Sequence, residues 1–157
     1  MGNICRSPAA EGIAKKLSAK RGLEGKVEID SAGTLDYHTG ESPDSRMIKH
    51  ASKRGYSLDS KARQFNPEKD FEHFDYIITM DNDNYSEIIS LDKRNQFADK
   101  VFKMVSFGNK IKADEVPDPY YSGSDGFEYV LDILEDSIEG LLNRVEDDIR
   151  RENKKAD

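Results

Sequence analysis

Apolar residues recur every three or four positions between Ser7 and Arg21, at Ala10, Ile13, Ala14 and Leu17, with Pro8 near the start and Gly22 just past the end. That spacing places one apolar stripe on one helical face, and the flanking proline and glycine suit its two termini, so the segment reads as a first helix. From Lys26 to Thr34 the pattern changes to alternation, with Val27 and Ile29 between polar neighbours, and it ends in the small residues Ser31, Ala32 and Gly33. A short strand feeding a loop is expected there. A second helix is predicted over roughly Pro43 to Arg54, closed by Gly55. Phe74 to Met80 is a compact aromatic and β-branched run between acidic segments and reads as a buried strand, turning through MDNDN into a short helix near Tyr85 to Leu91. Val101 to Phe107 is a further strand-type run, followed by a polar loop into VPDPYY. From Ser124 onward Phe127, Val130, Leu131, Leu134, Ile138, Leu141, Leu142 and Val145 form the stripe of a long last helix, and the charged EDDIRRENKKAD is expected to fray.

Strands alternating with helices predict an α/β fold, a three-layer doubly wound arrangement with a mostly parallel sheet and helices on both faces. One domain over residues 1–150 with a charged tail over 151–157 follows from the pattern. In such a fold a strand delivers the first loop from its carboxyl end, yet here the loop GNICRSP opens the chain. The expectation is therefore that the first strand is missing upstream.

Composition narrows the function classes. At 157 residues the length suits a single domain. A formal net charge of -7 argues against a nucleic-acid partner, which requires clustered Lys and Arg. The single cysteine, Cys5, excludes an intrachain disulfide and fits a reducing compartment, so a cytoplasmic location is expected. No apolar run approaches the roughly 20 residues of a membrane span. His38, His50 and His73 are scattered and accompany no cysteine cluster, so neither a metal nor another cofactor is expected.

The segment with candidate chemistry is GNICRS, Gly2 to Ser7, immediately before the first helix. Glycine and asparagine tolerate the backbone angles that let successive N–H groups converge, and a helix N-terminus adds unpaired amides and a favourable dipole. Such a nest, Gly2, Asn3, Ile4, Cys5, Arg6 and Ser7, would bind a phosphate dianion, with Arg6 gripping two oxygens. Taken alone, an ordinary loop before a helix remains the other reading.

GNICRSP, followed by Ala9, Ala10 and Glu11, resembles the signature loop of the low-molecular-weight protein tyrosine phosphatases, and DSAGT at Asp30, ARQF at Ala62, FDYIITMDNDN at Phe74 and DPYY at Asp118 resemble further family segments in the same order. The resemblance covers almost the whole chain. It implies a four-stranded sheet of order 2-1-3-4 in the intact family and phosphomonoester hydrolysis through a cysteinyl-phosphate. Arg6 would bind phosphate, and Asp118, stiffened by Pro117 and Pro119, would be the general acid. Tyr120, Tyr121 and Tyr37 would wall the slot for a phosphotyrosine ring, and Ser31 would support the loop. Asp81 would orient Arg6 or cap the following helix. Ser7 would hydrogen-bond the thiolate, cap the first helix, or do both. Phosphotyrosine proteins or small aryl phosphates would be the substrates and inorganic phosphate the product, with no membrane partner.

The family places its nucleophile six residues before the loop arginine, which here falls directly before Met1. Cys5 matches the family's second cysteine and adjoins Arg6, outside the line of attack. The expectations are thus an amino-terminally truncated phosphatase or a catalytically dead phosphate-binding module, and a chain that is unstable or borrows a strand from elsewhere. Arsenate reduction is disfavoured because it needs further cysteines, and Ile4, in place of a threonine, favours the tyrosine-directed branch over the arginine-directed one.

Overall fold

The computed structural model describes residues 1–157. Five helices and two strands follow in the order α1 (Arg6–Lys20), α2 (Ser45–Lys53), α3 (Pro67–His73), β1 (Ile77–Thr79), α4 (Asn82–Leu91), β2 (Val101–Lys103) and α5 (Ser124–Ala156), with 3₁₀ turns at Ala98–Lys100 and Met104–Phe107. All the helices expected from periodicity are present. α3 was not foreseen: its seven residues are too few to show a period, although Asn66 caps the amide of Glu68 and Pro67 occupies the first turn.

β1 and β2 pair in parallel, Ile77 opposite Val101 and Thr79 opposite Lys103, with α4 as the crossover. Alternation puts the two isoleucines of β1 on opposite faces. Ile78 packs against the main core of α1, α2 and α5, and Ile77 against a smaller cluster with Phe71, Ile88 and Val101. Helices therefore cover the sheet on both sides, as an α/β fold requires.

The sheet is smaller than the four strands, ordered 2-1-3-4, that the resemblance implies: only β1 and β2 form a ladder. Val27–Ala32 forms no strand and makes no backbone–backbone hydrogen bond, and its only neighbouring bridge is Gly33 with Gln64. The free edge of β1 has no strand beside it. The run from Val101 shortens for a different reason, because Met104–Phe107 coils into a 3₁₀ turn against α5.

The main core lies where α1 meets α5, with Ala9, Ile13, Val130, Leu131, Leu134 and Ile138 fully buried. Small residues on α1 allow this approach. Gly140 of α5 is equally constrained, since a Cβ there would strike the carbonyl oxygen of Phe107. α5 continues helical to Ala156, through the stretch expected to fray, with Arg150 paired to Glu146 and Asp147 along its exposed surface. No helix is long and apolar enough to cross a membrane.

Candidate active site

The loop from Met1 to Cys5 turns directly into α1 beside the carboxyl end of β1, the position at which open α/β sheets bind ligands. Asn3 holds φ at 60°, the left-handed backbone that asparagine tolerates. Gly2 is not left-handed; a Cβ there would lie 2.5 Å from the partly exposed His38 ring, which would have to move aside.

Asn3 is buried and all its side-chain polar atoms are engaged. Its amide nitrogen donates to Ser7 Oγ at 2.7 Å and to Ser31 Oγ at 2.9 Å, while its carbonyl accepts from the Arg63 N–H. Ser31 in turn donates to Glu11 Oε2 at 2.5 Å, and Glu11 is held at its other oxygen by Lys15. The polarity of this chain is fixed by the carboxylate at its end. Ser31 must donate to Glu11 and so accepts from Asn3; Ser7 also accepts from Asn3, which leaves the Ser7 hydroxyl hydrogen available to an anion in the loop. Ser7 is not the helix cap: Cys5 occupies that position and no side chain caps the first turn, so the leading amides of α1 stay open.

Arg6 is 5% exposed, and Nη1 donates to Asp81 Oδ2 at 2.6 Å and to the Val116 carbonyl at 2.8 Å. Its Nε and Nη2 have no hydrogen-bond partner in the protein, which leaves one edge of the guanidinium available for a two-point grip on an oxyanion. Asp81 does both things that were left open. Its second oxygen accepts from the Asn84 N–H at 2.7 Å, capping α4 while the first orients Arg6. Burial opposes ionisation of Asp81, but the Asn84 amide and Arg6 outweigh it and hold its pKa below the usual carboxylate value.

Asp118 reaches the same point from the loop after Val116, with Oδ2 3.9 Å from Arg6 Nη2. Its other oxygen accepts from the Tyr120 N–H at 3.0 Å, and the carboxylate is 43% exposed, open to a ligand. Tyr37, Tyr120 and Tyr121 all border the opening, with Tyr121 edge-on to Tyr120 at a 5.0 Å centroid distance. Tyr37 and Tyr121 project largely into solvent, so Tyr120 is the most enclosed of the three.

Cys5 is buried, and burial first, then the charges of Asp44 and Asp118, push its thiol up to about 12. It is a protonated core thiol at neutral pH. Three neighbours of the site were given no role by the sequence reading. Glu11 belongs to the signature string, but nothing in its position shows what it binds; Asp44 and Arg46 had only the helix-capping look of PDSR.

The loop opens onto a cavity of about 510 Å³ that runs down between the 29–34 segment and β1, reaching Ile29, Ile77, Ile78, Ile138 and Leu141. The candidate anion loop thus lies at one end of a channel with apolar walls that also carries the polar side chains of Glu11, Asp30, Arg63, Asp70 and Asn84.

A family model described as low molecular weight phosphotyrosine protein phosphatase matches residues 1–153, and the chain belongs to this family. A crystal structure of protein tyrosine phosphatase from Entamoeba histolytica, with Hepes in its active site, is 50% identical over 94% of this chain and 93% of that one, with a TM-score of 0.90. The Synechocystis protein slr0328, named for the same family, is 50% identical over 90% of each chain. YfkJ of Bacillus subtilis, a low molecular weight protein-tyrosine-phosphatase, is 36% identical over 93% of this chain and 92% of its own, and its crystal structure superposes with a TM-score of 0.87.

Proposed function

We propose that this protein hydrolyses phosphotyrosine in proteins, and small aryl phosphates, with the reacting phosphate seated on the amides of Gly2–Ser7. The observation that carries the reading is the buried Arg6, with one guanidinium edge unpartnered, facing the exposed Asp118 carboxylate across 3.9 Å. A phosphate on that nest meets the open amides of α1 and two Arg6 donors, so charge that builds on its oxygens is stabilised without rearrangement. A thiolate attacks phosphorus and the bond to the phenolic oxygen breaks, while protonated Asp118 gives its proton to the departing oxygen. Asp118, now ionised, takes a proton from water as that water attacks the cysteinyl-phosphate, and inorganic phosphate leaves with the thiolate restored.

Cys5 does not supply that thiolate, because it is buried and its thiol stays protonated far above neutral pH. We assign the nucleophile to a cysteine joined to the amino side of Met1, on a strand that fills the channel and pairs with the free edge of β1. The channel's apolar wall residues, Ile29, Ile77, Ile78, Ile138 and Leu141, and the unbonded backbone of Val27–Ala32 support this placement. Tyr120 beside the acid favours a long aromatic phosphoester over phosphoserine. Ile4 favours the tyrosine-directed branch, although one relative of the same fold, 30% identical, is an arginine phosphatase from Drosophila.

A second reading has one observation behind it: the 157 residues contain a single, buried cysteine, so this segment by itself is a phosphate-binding module. The test is hydrolysis of p-nitrophenyl phosphate by residues 1–157 and by the protein extended upstream in its own reading frame. Turnover only in the extended protein, lowered about 10²- to 10⁴-fold by Asp118→Asn, supports the enzyme. Phosphate binding with no turnover in either supports the module, and turnover by residues 1–157 overturns the nucleophile assignment.

A further inference from the structure

Arg46 lies in the first turn of α2 and has no place in the reaction, yet it joins Asp44, beside the phosphate loop, to the rings of Tyr120 and Phe127. Its own helix cap holds it: Asp44 Oδ1 accepts from the backbone N–H and Nε of Arg46, and Oδ2 accepts from Nη2 at 2.9 Å. This fork orients the guanidinium plane of a side chain that is otherwise 46% exposed. Asp44 is itself fixed to the phosphate loop, because its N–H donates to the Ile4 carbonyl at 2.7 Å. The clamped guanidinium then sits between two aromatic rings, 5.2 Å from the centroid of Tyr120 and 4.9 Å from that of Phe127. Phe127 is fully buried in α5 and stacks on His50, which Glu128 holds at 2.6 Å.

Tyr120 is otherwise weakly attached. It is 39% exposed, and its other aromatic neighbour, Tyr121, is 97% exposed. The loop it belongs to carries Asp118, whose carboxylate is oriented by the Tyr120 N–H. The link therefore runs from the Ile4 carbonyl through Asp44 and Arg46 to Tyr120, and from the Tyr120 amide to Asp118. A guanidinium is suited to it, since its flat face stacks on a ring while its edge pairs with a carboxylate; an ammonium does not do both.

We propose that Arg46 is a positioning residue for Asp118: sandwiched between Tyr120 and Phe127 and forked to Asp44, it locks the 118–121 loop in register with the phosphate loop. This rests on Asp118 being the general acid. Arg46 does not touch substrate. Its loss lets the loop swing, so the acid misses the leaving oxygen while phosphate still binds.

The experiment compares phenyl phosphate, whose leaving group needs a proton, with p-nitrophenyl phosphate, whose leaving group needs it far less. The upstream-extended protein carries Arg46→Met, Arg46→Lys or Asp118→Asn. Asp118→Asn sets the signature of a lost acid, a drop in kcat/KM of about 10²- to 10⁴-fold for phenyl phosphate and a much smaller one for the nitrophenyl ester. Arg46→Met reproduces the same selectivity at about 10-fold, with the inhibition constant of inorganic phosphate unchanged, and Arg46→Lys does not restore it. Equal losses on both esters, or a loss confined to phosphate affinity, overturn the proposal. If Asp118→Asn shows no leaving-group dependence, the acid assignment fails instead. The clamp is then judged on residues 1–157 labelled with carbon-13 tyrosine, with the Tyr120 signal assigned through Tyr120→Phe. Arg46→Met moves that signal toward free tyrosine while the fold's other signals hold, and an unmoved Tyr120 signal refutes the clamp.

Discussion

At Cys5 the chemistry depends on burial. A free thiol ionises appreciably near pH 8, whereas Cys5, pushed up to about 12, is ionised there to roughly one part in 10⁴. Iodoacetamide at pH 8 is therefore expected to leave Cys5 unlabelled in the folded protein and to label it within minutes in urea, as read by mass spectrometry. Rapid labelling without urea would show a reactive thiol. The sequence shows a cysteine beside an arginine, and that adjacency by itself suggests activation. The fold decides otherwise, because Arg6 turns its charge toward Asp81 and Asp118, while Asp44 and the core lie nearer the sulfur's side of the balance. Arg6, Asp118 and Asp81 were each candidates from their motifs, and the fold brings them together; what remained hidden was orientation. Only the coordinates show that one Arg6 nitrogen is spent on Asp81 and Val116, which is what leaves the other edge open.

Two contacts between elements carry measurable stability. Gly140 lets α5 close on the turn at Met104–Phe107, where the Phe107 carbonyl occupies the space of a side chain. Gly140→Ala gains helix propensity of about 1 kcal/mol at most, but forces backbone apart and is expected to destabilise by about 1–3 kcal/mol net in urea unfolding. Four bonds from three successive amides, Asn109, Lys110 and Ile111, end on the carboxylate of Asp136. Burial opposes its ionisation, yet these donors prevail and hold the Asp136 pKa below its ordinary 3.8. The stabilisation is thus fully present above about pH 4 to 5 and is lost as pH falls through the lower folded value. Asp136→Ala is expected to cost about 1–2 kcal/mol at pH 7, at the low end because the group is partly solvated, and less at pH 3. Urea midpoints at the two pH values check both the size and the sign. The helices were readable because each buries a face with a 3.6-residue period; α3 was too short, and neither partner of Gly140 or Asp136 is near it in sequence.

For the whole molecule the decisive feature is the channel of about 510 Å³ along the free edge of β1. Apolar walls facing a channel and an unpaired strand edge both cost stability. If the channel takes a further strand, as proposed, a protein carrying that strand is expected to melt about 10 °C or more above residues 1–157; equal melting of both forms would show that the channel is filled in another way. The sequence by itself determined the alternation of helices and strands, the family, and the residue types of the phosphate loop and acid loop, because periodicity and short motifs are local and survive being read one residue at a time. It did not determine how many strands pair, since Val27–Ala32 has strand-like alternation but finds no partner. Nor did it determine that Asp81 serves Arg6 and α4 together, that Glu11 sets the polarity running through Ser31 and Asn3 to Ser7, or that Arg46 lies between two rings. Those depend on packing that brings together residues tens of positions apart, and hydrogen-bond direction and ring stacking exist only once both partners have been fixed in space.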